Sequence, residues 1–169
     1  MTKYTPPPRK STHYHSSAMH TLVRRYLKTA IAFLGVGLVI GGWMIVRREL
    51  WSQYPSQYAV SAHTHAVFVG FVMMMIQGVA LWLFPRPDKT DARYSPRLAE
   101  IAYWFVTGGT AARVAGELLR SGVSGLWLSL AVVIAGFAQI AGIALFFFTM
   151  WTRIRPVGSQ TREEKGEKF

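Results

Sequence analysis

The chain contains no cysteine. Disulfides, iron–sulfur ligation and thiolate metal sites are therefore excluded. Acidic residues are also scarce: eight Asp and Glu stand against nineteen Lys and Arg, for a net charge of +11. No stretch alternates apolar and polar residues as a half-buried strand does. No cleavable signal peptide is visible. The first apolar block follows a long polar tail and has the length of a signal anchor.

What is present is apolar sequence in blocks. Four stand out: Leu27–Val46, Tyr58–Phe84, Leu98–Leu119 and Leu126–Trp151. Each has the roughly 20 residues needed to cross a hydrocarbon core. Lys28 interrupts the first block, and Glu100, Arg113 and Glu117 interrupt the third. Soluble core helices are usually shorter and carry a polar face. The expectation is an all-α integral membrane bundle of four transmembrane helices, with the lipid bilayer as its first partner.

The basic residues set its orientation. Lys3, Arg9, Lys10, Arg24, Arg25 and Lys28 precede the first block. Arg86, Lys89, Arg93 and Arg97 fill the second joint, and Arg153, Arg155, Arg162, Lys165 and Lys168 follow the fourth block. The other joints hold only Arg47, Arg48 and Arg120. Positive charge concentrates on the cytoplasmic side of short-looped membrane proteins. Both termini are expected to be cytoplasmic, with the second helix running from outside to inside. The same charges account for the basic balance without nucleic acid as a partner. The expected organisation is a flexible cytoplasmic tail over 1–22, a transmembrane domain over 23–155 and a charged cytoplasmic tail over 156–169. His13, His15 and His20 are read as solvated residues of the first tail.

Small residues mark close helix approaches: Gly35, Gly37, Gly41 and Gly42 in the first helix, and Gly108, Ala112 and Gly116 in the third. Trp43, Trp82, Trp104, Trp127 and Trp151 fall near helix ends, as interfacial aromatics do. The segment from Arg47 to Gln57, with Trp51 and Tyr54, is expected to be a loop on the outer surface. Pro85 and Pro87 end the second helix, and Pro96 suits the first turn of the third.

The chemistry sits in Ser61-Ala62-His63-Thr64-His65-Ala66, inside the outer end of the second helix. Ionisable residues within a membrane helix are costly and suggest function by default. Packing by hydrogen bonds to neighbouring helices is the structural alternative. Residues two apart on an α-helix are separated by about 200°, so His63 and His65 point to nearly opposite faces and cannot grip one ion together. At α-helical spacing the His63 face continues through Gly70, Met74 and Gln77. The His65 face continues through Phe68, Val69, Val72 and Ile76. Neither face supplies another histidine or a carboxylate, whereas structural zinc needs about four ligands. Heme needs one or two axial ligands from protein.

The segment His63-Thr64-His65, Gly70-Phe71, Gly78 and Leu83-Phe84-Pro85 resembles the tenth transmembrane helix of subunit I of the heme-copper oxidases. Nearest are the C-family (cbb-type) cytochrome c oxidases and nitric oxide reductases, which show H-x-H, G-W, G and L-V-P at this spacing. Tyr103-Trp104-Phe105 with Gly109, and Phe147 to Arg155, look loosely like the eleventh and twelfth helices. The chain would correspond to helices nine to twelve of twelve. The resemblance implies that His63 ligates a high-spin heme and His65 a low-spin heme on the opposite face. It places Gly70 in the cofactor-bearing register and makes Arg120, with Arg113, the nearest candidates for heme propionates. Arg113 and Glu117, four apart, are equally able to pair with each other.

The departures matter too. The family's copper ligands and the low-spin heme's other histidine have no counterpart here. The expected function is therefore a heme b protein for electron transfer within a homo-oligomer or a larger respiratory complex, in a bacterial cytoplasmic membrane. Catalysis is not expected of the single chain. The second axial ligand would come from Met44, at a depth similar to His63, from another copy, or from another subunit. The competing reading is an accessory or assembly subunit without its own cofactor. A transporter lined by Gln77, Gln139 and the Arg113–Glu117 pair is the third, and those residues form no evident line in the sequence.

Overall fold

The computed structural model describes residues 12–84, 95–154 and 166, with side chains from residue 21 onward. Its elements are α1 (Thr12–Trp51), α2 (Gln57–Thr64), a π-helix (His65–Met73), α3 (Met74–Leu83), α4 (Pro96–Arg120) and α5 (Leu126–Met150). A 3₁₀ turn (Trp151–Arg153) follows α5. The described residues contain no strand. α2, the π-helix and α3 form one continuous rod, so the described residues make four rods.

The boundaries follow local chemistry. The Ser56 hydroxyl caps α2 by accepting from the Ala59 N–H at 3.2 Å, as N-cap serines do. Phe84 is extended, with ψ 146°, because the residue before a proline is driven out of the helical region. Pro96 occupies the first turn of α4, where no intrahelical N–H is missed. These ends match the expected ones. The joint at residues 85–94 and the tail beyond 154, except Gly166, lie outside the described residues, as do residues 1–11.

α1 departs from expectation at both ends. Residues 12–22, expected in a flexible tail, are helical. Leu22, Val23, Tyr26, Ala30 and Phe33 are all buried, so the apolar stripe that packs α1 begins before the lipid-length block does. His13, His15 and His20 fall within this helical stretch. At the other end, α1 runs past Arg47 and Arg48 to Trp51, and the expected loop shrinks to Ser52–Ser56. Left-handed Ser52, with φ 51°, stops the helix. The Gln53 N–H then donates to the Arg47 carbonyl at 3.0 Å, and the Arg47 guanidinium bonds the Gln53 side chain.

Among the described residues three helical stretches are long and apolar enough to cross a membrane: Thr21–Trp51, Gln57–Leu83 and Leu126–Arg153, whose 18-residue apolar segments have mean hydropathies of 2.2, 2.1 and 2.4. α4, whose block is the one interrupted by Glu100, Arg113 and Glu117, is long enough but not apolar enough, so three of the four expected spans are seen. Its central position explains this. It packs against the second rod on one side and makes its most extensive contact with α5 on the other. Its two acidic residues are paired: Glu100 with Arg25 at 2.8 Å, and Glu117 with Arg113 at 3.1 Å.

The α4–α5 seam depends on Gly109 and Gly142. A Cβ on Gly109 would lie 2.7 Å from the Gln139 backbone nitrogen, and one on Gly142 would lie 2.7 Å from that of Val106. The expected seam of Gly108, Ala112 and Gly116 holds only at Gly116; Gly108 meets nothing within 4 Å, and Ala112 is exposed.

The interior divides in two. One half is aromatic and joins all four rods around Tyr26, Tyr103, Phe146, Met74 and Met150. Tyr26 meets Tyr103 and Phe146 edge-on at 5.0 and 5.9 Å between ring centres, an arrangement the ring quadrupoles favour. The other half has a smaller cluster of Ile40, Ala62, Ala66 and Val114. This is the half that carries the histidines.

Candidate cofactor site

The π-helix, which begins at His65, decides which residues lie below the two imidazoles. In the second rod, Ala62, Ala66, Gly70 and Met74 form a buried column, while Thr64, Phe68, Val72 and Ile76 form an exposed one. The repeat is four residues, wider than the α-helical 3.6, as expected for i→i+5 hydrogen bonding. At a quarter turn per residue, His63 and His65 occupy opposite flanks of the buried column. The expected opposition holds, but the expected faces do not. Gly70 and Met74 lie in line with Ala62 and Ala66, not beneath His63, and Phe68, Val72 and Ile76 lie beneath Thr64. No Pro or Gly pair in His65–Met73 announces the change of winding.

His63 faces α1. Its Nδ1–H donates to the Gly37 carbonyl at 2.9 Å. Its ring lies over Gly41, where a Cβ would come within 2.9 Å of Cε1. Glycine at 41 is what lets the imidazole come this close to α1. His63 also borders a cleft of about 470 Å³, lined by Leu38, Gly41, Gly42, Met44 and Arg48 among others. Met44 thus shares a cavity with His63.

His65 faces α4. Its Nδ1–H is shared between the Ser61 carbonyl at 2.9 Å and Glu117 Oε2 at 3.1 Å. The Ser61 hydroxyl donates to Glu117 Oε1 at 2.9 Å. Arg113 Nε donates to the same oxygen at 3.1 Å, and its Nη1 reaches Gln139 Oε1 at 3.3 Å. The Gln139 amide donates onward to Thr110 at 3.0 Å. Glu117 is only 3% exposed. This polar chain ties the second rod, α4 and α5 together.

These contacts fix the tautomers. A carbonyl and a carboxylate only accept, so each histidine carries a proton on Nδ1, and in the neutral imidazole the Nε2 lone pair is then free. Neither Nε2 has a hydrogen-bond partner among the described residues. Metal-ligating histidines show this arrangement, with the far nitrogen held by a carbonyl or carboxylate. Among the described residues no three or more His, Cys, Asp or Glu come together, so the donor set does not suit a bare metal ion. Two Nε2 atoms on opposed flanks do suit heme iron, which takes one imidazole per axial position.

A family model for cytochrome c and quinol oxidase polypeptide I matches residues 21–164. The chain belongs to this family. No curated protein and no solved structure matches it. Membership in the oxidase polypeptide I family places the helical rods in a membrane protein of oxidase type, in agreement with their hydropathy.

The other candidate residues are placed as follows. Gly70 lies against Phe33 of α1, where a Cβ would be 2.5 Å from the ring; helix packing accounts for it. Arg113 is engaged by Glu117 and Gln139 rather than free for a propionate. Arg120, at the end of α4, stacks over Tyr58 at 4.7 Å and bonds Ser129. Its Nε is buried without a partner among the described residues. Arg113, Glu117 and Gln139, expected to form no line, are joined in one, with Gln77 apart from it. Sequence reasoning missed Ser61 and Glu117 as partners of His65. The only local signal was the Arg113–Glu117 spacing, which says nothing of a residue on another helix.

Proposed function

We propose that this oxidase-family chain binds heme b through His63 and His65 and transfers electrons within an oligomer or a larger membrane redox complex. The observation that carries the reading is the state of the two imidazoles. Each has Nδ1 tied to an acceptor and Nε2 unbonded, on opposite flanks of one membrane helix. The cleft beside His63, with apolar walls and Arg48 at its edge, suits the apolar face and acidic margin of a porphyrin. Bound heme b supplies one-electron redox chemistry. His63 and His65 would hold it through Nε2, and the chain orients the two rings through Gly37, Ser61 and Glu117.

The chain's remaining histidines, His13, His15 and His20, precede α1's apolar stretch and do not reproduce the family's copper ligands. Oxygen reduction is therefore assigned to no residue here. A second ligand to the iron would come from Met44, which lines the same cleft as His63, from a second copy or from another subunit. The concentration of Lys and Arg at the termini and in the second joint favours cytoplasmic termini, and with them a multi-pass protein of a bacterial cytoplasmic membrane.

The test is the reduced-minus-oxidised absorption spectrum of the protein purified from heme-replete cells. A Soret band is expected, diminished in His63→Ala and in His65→Ala. A colourless, iron-free protein would overturn the reading and favour an accessory subunit whose histidines only join helices.

A further inference from the structure

The two histidines differ in what holds them. Nδ1–H of His63 donates to a neutral amide carbonyl, that of Gly37 at 2.9 Å. Nδ1–H of His65 donates to a carboxylate, that of Glu117 at 3.1 Å, besides the Ser61 carbonyl. Glu117 accepts three side-chain hydrogen bonds, from Ser61, Arg113 and His65, and donates none. It is therefore the charged acceptor, and its burial keeps that charge from being screened by water.

A hydrogen bond to a carboxylate pulls the Nδ1 proton outward and leaves more electron density on the ring. An iron bound at Nε2 of such a ring meets a stronger donor, which favours the ferric state. A neutral carbonyl does this less. We propose that Glu117 is a positioning residue for His65 and that it lowers the reduction potential of iron ligated there relative to iron ligated at His63. Arg113 and Ser61 set how far, because each draws on the same oxygen, Oε1. The two ligand positions are then electronically unequal by construction, and iron held at His65 would be the better electron donor and iron held at His63 the better acceptor. This inference rests on the heme-ligand reading above.

The experiment is a potentiometric titration of the full-length, heme-loaded protein, followed at the Soret band. Glu117→Gln keeps the side chain's shape and removes its charge. The expected result is retained heme with about a tenfold higher ferrous-to-ferric ratio at fixed ambient potential, which is 59 mV for a one-electron couple. Glu117→Asp restores part of the shift. Ser61→Ala frees the carboxylate to bind His65 more strongly, so its shift has the opposite sign, about twofold toward ferric.

A residue that only neutralises Arg113 would alter stability without producing shifts of opposite sign. Unchanged potentials in heme-loaded Glu117→Gln overturn the inference. If Glu117→Gln loses its heme, an unshifted Ser61→Ala overturns it instead. His65→Ala separates the two levels: a spectrum and potential unchanged by that substitution refute His65 as a ligand. A lost signal there, combined with an unshifted Glu117→Gln, refutes only the role of Glu117.

Discussion

The aromatic half and the histidine half of this bundle are held together by different forces. Around Tyr26, Tyr103 and Phe146 all four rods meet through large apolar side chains. The side-chain hydrogen bonds there include Thr29 with Tyr103 at 2.8 Å, and none of them involves a histidine. Around His63 and His65 the apolar cluster is small, and the rods are joined by side-chain bonds running from Gly37 to Gln139. Lipid is as apolar as leucine, so no hydrophobic force drives membrane helices together. The aromatic half associates by fit, which tolerates small shifts. The histidine half associates by directional bonds, which fix atoms in place. A ligand nitrogen needs the second kind of surroundings, and both histidines have it.

The sharpest way to break the contrast is to remove Glu117. In Glu117→Leu the Arg113 guanidinium keeps only Gln139. Breaking a buried ion pair costs about 3–5 kcal/mol, and Arg113 is about a quarter exposed, so the lower end is expected. Unfolding in detergent titrations measures it. Arg113→Leu combined with Glu117→Leu should recover most of the loss, since no charge is then left alone. A single-variant cost below about 1 kcal/mol would mean that polar bonds do not hold this half together.

Gly142→Val tests the seam that both halves share. Its Cβ would lie 2.7 Å from the Val106 backbone nitrogen, and a backbone atom has no rotamer in which to yield. Overpacking of this kind costs about 1–3 kcal/mol. The same change at Gly108, which meets nothing within 4 Å, should cost far less. Equal losses at both positions would show that the seam is not where the contacts place it.

The sequence and the structure part company where long-range geometry begins. Helix ends were legible because Pro85 and Pro96 act on their own neighbours. The opposition of His63 and His65 was legible because any helical winding separates positions two apart by close to half a turn. The faces below them were not, because the π-helical winding shifts the residues below by a fraction of a turn, with no breaker residue to announce it. The Arg113–Glu117 pair could be read from spacing. The Glu117–His65 contact could not, since 52 positions separate the two residues and only the crossing of the second rod with α4 brings them together. Gly109, rather than Gly108, faces α5 for a similar reason: the sequence gives a spacing, while the packing partner sets the phase.

Arg153 shows that the aromatic half also contains one directional clasp. It is 2% exposed, and its Nη2 donates to the carbonyls of Leu81 and Phe84 at 3.3 and 3.2 Å. These are carbonyls at the end of α3, which a basic group satisfies well. Sequence alone counted Arg153 among the charges that set orientation. Arg153→Met should cost about 1.5–2 kcal/mol, as for hydrogen bonds to a charged group. Unfolding in detergent measures that cost, and the heme spectrum should not change. A changed spectrum would mean that the halves are mechanically coupled.

The smallest effects give the most discriminating test, because their signs should differ. Gln77 and Gln139 are both buried amides on membrane helices. Gln139, in the histidine half, accepts from Arg113 and donates to Thr110. Gln77 follows Met74 in the buried column and adjoins Gly78, which packs against Tyr26. It is wholly buried, and neither amide atom has a partner among the described residues. Leucine at 139 removes bonds worth about 0.6 kcal/mol each in a membrane protein, so Gln139→Leu should lose about 1 kcal/mol. Leucine at 77 removes a buried polar group whose desolvation costs about 1–3 kcal/mol when unpaired, so Gln77→Leu should gain about 1 kcal/mol. Unfolding midpoints of the two variants in one detergent decide the matter. Opposite signs mean that the aromatic half prefers fit and the histidine half prefers bonds. A loss at both positions means that Gln77 is bonded in the membrane and that the two halves differ less than their side chains indicate.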